Sequence, residues 1–408
     1  MSFPASQLLS LQACQLMNEM KFLFLATELF NGIGGIQVFN NHLVRALLEL
    51  GHSTRIVSMN DSQACKLASL PASRSSSLSA CQLESFPACK LDSLKALRKP
   101  MFFADTLKTV FCFKPDIILC GHVNYSPFCI ALSKAFKIPY FTITHGIEVW
   151  SLKRSKLFGL KHSNKILSVS QFTKNKILNQ LSGYPEKDIS ILHDTFDPER
   201  FKPKPKPVHL MEKWGIKKDD KVLLTIARLS KTEKYKGYDK VIEVLGDVIE
   251  EVPNVKYIIG GYGDDTERIK RVIRDSGLGD KIILTGFIPH EEVVDYYNLC
   301  DVFIMPSKGE GFGIVFLEAL ACGKPVIAGN HDASPEAVLN GELGILVDPD
   351  NVNEIKEAII SVLKREVPEK LLDSSYLCQR IFDTYGYPKF KERLEEILLR
   401  IGQGSYQA

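Results

Sequence analysis

The sequence lacks several features that would define its class at once. Its ten cysteines form no CxxC pair and no spacing with histidine that would suit zinc. In a chain of 408 residues they are expected to be reduced thiols of a cytosolic protein. No run of eighteen apolar residues occurs, so no transmembrane helix is predicted. No lysine or arginine precedes Lys21, which argues against a secretory signal peptide.

A large charge of one sign is also missing from the chain as a whole, because the formal net charge is only +3. Nucleic acid is therefore not an expected partner, and aromatic residues interleaved with basic ones are not evident. Residues 97–180 differ, with thirteen basic against three acidic residues, a balance of +10. Two interpretations stay open: a solvated surface balanced by the acidic remainder, or a surface for an anionic membrane or a lipid-diphosphate acceptor.

One part of the sequence is repetitive. Residues 65–96 divide into the octads CKLASLPA, SRSSSLSA, CQLESFPA and CKLDSLKA, and residues 6–13 fit the same pattern. The octads are rich in serine and interrupted by proline, and their apolar spacing of three and five matches a helix face poorly. We interpret 1–19 as a disordered leader and 62–96 as a low-complexity insertion. The alternative is a metal-binding or interaction module, but histidine is absent and carboxylates are few.

The rest of the chain alternates short apolar runs with amphipathic segments, the pattern of an α/β protein. Buried strands are predicted in the first half at 21–27, 54–58, 116–120, 140–144 and 166–169. The same rhythm restarts with predicted strands at 222–227, 257–259, 281–285, 302–305 and 344–347. Between the two sets lies KPKPKP at 202–207, a stiff extended segment suited to a linker.

The most informative stretch is 301–325, DVFIMPSKGEGFGIVFLEALACGKP. Its predicted helix, 314–321, is apolar on every side except at Glu318, and a buried unpaired carboxylate costs several kcal/mol. Glu310 precedes the helix in a glycine-rich turn whose backbone N–H groups offer a site for an anion. Two carboxylates beside a phosphate-sized cradle suit a sugar joined to a diphosphate. The alternative is a core cation paired with Glu318 and glycines that only make a turn.

Further polar residues follow predicted strands, where parallel sheets bind ligands. The loop RLSKTEKYKG carries Arg228 and Lys236, cations that suit a diphosphate leaving group unless they are plain surface charge. His122 and Asn124 follow one strand of the first half. His145 and Glu148 follow the next, although a lone histidine at a strand end is more often structural. In the first turn, glycines 34 and 35 are not part of GxGxxG, so a tight turn explains them equally well.

These residues resemble a known family. Glu310 and Glu318 match the E-x7-E motif of retaining GT-B glycosyltransferases, and EGFGIVFLEALACGKPVIA is similar to glycosyltransferase family 4. The resemblance implies two Rossmann-like parallel-sheet domains facing a cleft. We expect an acceptor domain over 20–201, a linker at 202–210, a nucleotide-sugar domain over 211–385, and a C-terminal helix at 386–408 that crosses back to the first domain.

The resemblance also implies roles for single residues. Glu318 would hold the ribose, Glu310 the donor sugar, and Arg228 and Lys236 the diphosphate. The loop is about two residues longer than in the family, and Lys236 is preferred over Lys234 because glycine follows it. His145 resembles the histidine near the reacting sugar and completes the expected catalytic set. The other expected donor-binding residues are Gly34, Gly35, Ile288, Gly311, Phe312, Gly313 and Ile314. On the acceptor side we expect His122, Asn124 and Glu148.

The expected reaction is a retaining transfer of a hexose from a nucleoside-diphosphate sugar to a glycan, lipid-linked or other sugar acceptor. The first choice of donor is GDP-mannose, and the second is a UDP-hexose. No cofactor and no metal are expected, because the basic residues replace the metal. The protein is expected in the cytoplasm, as a peripheral protein at the inner face of the membrane. The alternatives are a nucleotide-sugar epimerase of similar architecture and a non-catalytic scaffold with a transferase-like fold.

Overall fold

The computed structural model describes residues 19–29, 34–60 and 98–403, so the octad segments lie outside the described residues. The chain forms two compact units. The first comprises the described residues up to Val169, Lys174–Leu192, and the residues from Lys391 onward. The second comprises Ser170–Thr173 and His193–Phe390.

The first unit is built on a sheet of six parallel strands in the order β2-β1-β3-β4-β5-β6. Its strands are β1 (Lys21–Ala26), β2 (Ser53–Ser58), β3 (Ile117–Cys120), β4 (Tyr140–Thr144), β5 (Lys165–Ser168) and β6 (Ile189–Ile191). Its helices are α1 (Gly35–Glu49), α2 (Arg98–Phe113), α3 (Ser126–Phe136), α4 (Ile147–Trp150), α5 (Arg154–Lys161) and most of α6 (Gln171–Leu178).

The second unit repeats this plan with six parallel strands in the order β12-β11-β10-β7-β8-β9. Its strands are β7 (Lys221–Ile226), β8 (Val255–Gly260), β9 (Ile282–Gly286), β10 (Val302–Met305), β11 (Val326–Gly329) and β12 (Ile345–Val347). Its helices are α7 (Val208–Trp214), α8 (Tyr238–Glu251), α9 (Thr266–Asp275), α10 (Val293–Leu299), α11 (Ile314–Ala321), α12 (Ser334–Ala337), α13 (Val352–Leu363) and α14 (Ser374–Tyr385). A last helix, α15 (Tyr387–Gln403), begins in this unit and continues into the first.

The strands form because their residues are apolar on both faces. All residues of β3, β4, β10 and β11 are buried, as expected for strands covered on both sides in a parallel sheet. The register pairs Phe303 of β10 with Leu224 of β7 and with Val326 of β11, so these three strands end at one edge. The two parallel sheets confirm the predicted α/β class with two Rossmann-like domains.

The border between the units differs from the prediction. Residues 193–201, which the sequence assigned to the first domain, belong to the second unit. The reason is local contact: Arg200 donates to His290, and the ring of Phe201 lies 6.0 Å from that of Tyr297. From Lys391 onward the chain belongs to the first unit, where Lys391 Nζ bonds Glu49 at 3.1 Å.

In the described ranges 19–29, 34–60 and 98–403, none of the helices is both long enough and apolar enough to cross a bilayer.

Candidate active site

Two loops of the second unit meet at the carboxyl edge of its sheet. The loop after β7 ends in a short 3₁₀ turn, Lys234–Lys236, and the loop after β10 carries Glu310. Gly237 has φ +81°, and a Cβ there would lie 2.3 Å from the carbonyl oxygen of Pro306. A Cβ on Gly309 would lie 2.3 Å from the Tyr235 ring. Only glycine therefore allows the two loops to pack this closely.

The contact brings two predicted site residues together as an ion pair. Lys236 Nζ donates to Glu310 Oε1, and the two side chains are only 15% and 12% exposed. The backbone N–H of Glu310 donates to Asp332 Oδ2 at 2.6 Å, and Ser307 Oγ donates to Glu310 Oε1 at 3.4 Å. Glu310 is thus held from three directions before any ligand arrives.

Asp332 is a residue that the sequence analysis did not select. It is buried, and its second oxygen accepts the backbone N–H of Ser334 at 2.8 Å. Burial and then the nearby charge of Glu310 raise the pKa of Asp332 to about 6. Asp332 follows β11 at the same sheet edge, so recognition of that strand would have identified it.

Within the described residues, Glu318 is paired with a tyrosine and not with the core cation of the alternative interpretation. The Tyr297 hydroxyl donates to Glu318 Oε2 at 2.7 Å, and both residues are buried. Burial raises the pKa of Glu318 to about 7, although the Tyr297 bond and the charge of Arg200 act in the opposite direction. Tyr297 lies on α10, and no local pattern in the sequence connects it with Glu318.

The turn between the two glutamates leaves backbone donors unused. Within the described residues, the N–H groups of Gly311, Phe312 and Gly313 donate no hydrogen bond to the protein. Helix α11 begins after Gly313 without a side-chain cap. The turn itself is fixed, since Ser170 Oγ donates to the Gly311 carbonyl at 2.7 Å and Phe312 is buried. Fixed, unpaired N–H groups before an α-helix suit an anion.

Arg228 stands in the other loop and is also paired. Its side chain is 73% exposed, but its Nη2 donates to Glu233, whose side chain is 11% exposed. The hydrogen bond that Arg228 donates to Glu233 is the main cause that raises the pKa of Arg228. Both cations predicted to meet a diphosphate are therefore held by carboxylates. The other donors of the guanidinium stay available, because an arginine has five N–H groups.

The first unit contains a cluster of its own at the ends of β3 and β4. His145 Nε2 lies 3.0 Å from the Gly121 carbonyl oxygen, and burial lowers the pKa of His145 to about 4. Glu148 Oε1 accepts the backbone N–H of His145 at 2.5 Å, and burial raises the pKa of Glu148. Burial lowers the pKa of His122, and the charges of Glu148 and His145 act on it as well. The structure thus brings these three predicted residues together.

The remaining predicted residues have plainer surroundings. Asn124 is exposed, and its backbone N–H donates to His122 Nδ1 at 3.1 Å. Gly34 is the cap residue before α1 and has an extended backbone, while Gly35 is the first residue of that helix. Ile288 is buried, and its side chain occupies the space that a Cβ on Gly260 would need.

Two Rossmann-like parallel sheets with a glutamate pair at the edge of the second define the class as GT-B. Solved structures agree with this fold. Sucrose-phosphate synthase from Thermosynechococcus elongatus superposes with a TM-score of 0.75 at 17% identity, over 95% of this chain and 100% of that protein. Anabaena HepE in complex with UDP and glucose superposes with a TM-score of 0.70 at 18% identity, over 93% of this chain and 99% of that protein.

Sequence families identify the chain more closely. Residues 33–200 match the family described as Glycosyltransferase Family 4, and residues 209–375 match the one described as Glycosyl transferases group 1. The chain belongs to the group 1 glycosyltransferases of family 4, which confirms the resemblance seen in the sequence.

Curated relatives match part of the chain. A GDP-mannose-dependent alpha-(1-6)-phosphatidylinositol monomannoside mannosyltransferase of Mycolicibacterium smegmatis is 33% identical over 54% of this chain. N-acetyl-alpha-D-glucosaminyl L-malate synthase of Bacillus anthracis is 26% identical over 60% of this chain. The matches span 59% and 65% of these two relatives, less than two thirds of their length.

Proposed function

We propose that the protein is a glycosyltransferase that moves a hexose from a nucleoside-diphosphate sugar to a sugar or lipid-linked acceptor. The observation that carries the proposal is the arrangement around 310–318 in the second unit. It combines two fixed carboxylates and free backbone N–H groups with two paired cations, Arg228 and Lys236, from the loop after β7. The name of the mycobacterial relative favours GDP-mannose as donor, and the UDP bound to Anabaena HepE makes a UDP-hexose the second choice.

In this proposal each group meets the part of the donor that its chemistry fits. Arg228 and Lys236 stabilise the negative charge that develops as the diphosphate leaves, and the N–H groups of 311–313 add fixed dipoles. Glu318 accepts hydroxyl groups of the ribose, and Glu310 accepts those of the donor sugar. Because cations of the chain stabilise the charge on the leaving diphosphate, we propose that the reaction needs no metal. We also propose retention of configuration, which rests on the E-x7-E resemblance.

The proposal is tested by thermal shift with a panel of nucleoside-diphosphate sugars, since a ligand at a hundred times its Kd adds about 2.7 kcal/mol of stability. The donor that stabilises the protein is then incubated with candidate acceptors. NMR of the product gives the anomeric configuration, and EDTA tests the need for metal. If incubation with donor alone yields an altered sugar, the protein is an epimerase and the transferase proposal is wrong.

The pKa of Glu318 leads to a prediction on pH. Its carboxylate can accept two ribose hydroxyls only when ionised, so wild-type affinity for nucleoside diphosphate should rise from pH 6 to pH 8. The Glu318→Gln variant should bind roughly 1–3 kcal/mol more weakly at pH 8 and approach wild type at pH 6. Calorimetry measures both proteins at each pH, and their affinity ratio cancels titration of the ligand. An affinity ratio that does not change with pH would contradict the role of Glu318.

We also propose contact with an anionic membrane, through a face of α2. Helix α2 buries Phe102, Thr106 and Val110, and exposes an apolar stripe of Phe103, Leu107 and Phe111. The stripe continues onto α3, because the rings of Phe103 and Phe111 lie 4.5 and 5.2 Å from those of Phe128 and Phe136. Exposed lysines lie in these two helices or directly after them, at positions 108, 114, 134 and 137. An apolar stripe with a basic rim complements a layer of anionic lipid.

Liposome binding tests this contact. We expect wild type to sediment with vesicles that contain anionic lipid and to be released as salt rises. The double variant Leu107→Glu, Phe111→Glu should lose binding, because both side chains would have to enter the interface charged. Val208→Glu is the control, since Val208 is an apolar residue of the second unit that is as exposed as Phe111. Equal binding by all three proteins, or none by wild type, would rule out this face.

A further inference from the structure

Asp194 is a buried carboxylic acid that the proposed mechanism does not use. Asp194 is 9% exposed and lies at the start of the segment His193–Phe390 of the second unit. Within the described residues, its carboxyl group takes part in no hydrogen bond and no ion pair. A buried polar group without a partner is costly, so native proteins seldom keep one unless a ligand or water satisfies it.

The surroundings of Asp194 link it to the candidate active site. Its neighbour His193 packs against Phe312, with ring centroids 5.2 Å apart, and Phe312 follows Glu310 by two residues. On the other side, Thr195 Oγ1 donates to the Tyr385 carbonyl at 2.7 Å, and Phe196 forms a bridge with Gly386. The backbone around Asp194 is thereby held on both sides. Burial and then the charge of Glu310 raise the pKa of Asp194 to about 8.

We infer that Asp194 is a further contact for a hydroxyl group of the donor sugar, on the same side of the site as Glu310. This inference rests on the proposed function. A carboxyl group bonds a hydroxyl in either of its protonation states, as acceptor when ionised and also as donor when neutral. The donor's phosphates are a poor fit, because an ionised carboxylate would repel them. A divalent cation fits no better: in the described ranges, the side chains close enough to share one are His331, Asp348 and Asp350, without Asp194.

The contact makes a testable distinction between two ligands of the same site. Asp194→Ala should bind free nucleoside diphosphate as wild type does, because that ligand lacks the donor sugar. Its Kd for the nucleoside-diphosphate sugar should rise about five- to tenfold, the effect of one lost hydrogen bond. Asp194→Asn keeps a donor and an acceptor of the same size and should recover most of the affinity. Calorimetry with the donor identified in the thermal-shift panel gives both constants.

Thermal stability supplies a second readout, because removal of a structural side chain would lower Tm. Because the carboxyl group has no partner in the protein, its removal in Asp194→Ala should leave Tm unchanged or higher. Asp197→Ala is the control, since its carboxylate already accepts the Glu199 N–H at 3.0 Å. That variant should not discriminate between the two ligands.

Two results would overturn the inference. Equal weakening of both ligands by Asp194→Ala, with a lower Tm, would make Asp194 a structural residue. Unchanged binding of both ligands would mean that no sugar hydroxyl meets it. Failure of wild type itself to bind any nucleoside-diphosphate sugar would instead refute the proposed function on which the inference rests.

Discussion

Replacement of Lys236 by methionine is expected to have the largest effect of any single change in the second unit. Under the proposed function the variant loses a cation that meets the diphosphate, and the loss of one such electrostatic contact typically lowers turnover by about 10²–10³. It also leaves Glu310 buried without its ion-pair partner. Breaking a buried pair on one side destabilises a protein by about 3–5 kcal/mol. Denaturant unfolding and transfer rates, measured on the same preparation, report the two losses.

A second substitution separates these two effects. Lys236→Met combined with Glu310→Gln removes both charges, so stability should return to within about 1–2 kcal/mol of wild type while turnover stays low. Lys240→Met is the matched control, because Lys240 forms an exposed pair with Glu243 and should cost less than about 1 kcal/mol. Recovery of turnover in the double variant would show that Lys236 acts only on folding.

Glu310→Gln alone should lower turnover without weakening the binding of nucleoside diphosphate. Nucleoside diphosphate should bind as well as to wild type or more tightly, since Lys236 no longer shares its charge with a carboxylate. Turnover should fall about a hundredfold, because a donor sugar held in the wrong position loses rate of that order. Calorimetry and transfer rates decide the matter.

The control for this variant is Glu267→Gln, which removes an exposed glutamate of α9 paired with Lys270. It should leave both binding and rate unchanged. If Glu310→Gln weakened nucleotide binding as strongly as Glu318→Gln, or left the rate untouched, the separate roles of the two glutamates would be wrong.

The central part of the fold was predictable because its signals are local. The predicted bounds of β10 and α11 match the structure, since an apolar run ends at a proline and glycines enclose the helix. Other strands were predicted to within a few residues. Strands β6 and β11 were missed because neither is a clear apolar run: ISI has a serine at its centre, and VIAG ends in two small residues.

The site was predictable only where a residue could be selected by its own neighbourhood in the sequence. Glu318 stood out as the polar residue of an apolar helix, and Glu310 through its glycines. The partners that hold them, Tyr297 and Asp332, are contributed by other elements of the fold. Asp194 gave no signal at all, because an unpaired carboxyl group is recognisable only after its surroundings are known.

The path of the chain between the two units has a consequence for its synthesis. Residues from Lys391 onward belong to the first unit, and Lys391 reaches Glu49 across 342 positions of sequence. A ribosome makes the entire second unit before it makes these residues, so the first unit cannot complete its native contacts in order of emergence. Chains interrupted before residue 391 would leave the part of the first unit around Glu49 uncovered. Pulse-labelled nascent chains should therefore gain protease resistance in the second unit no later than in the first.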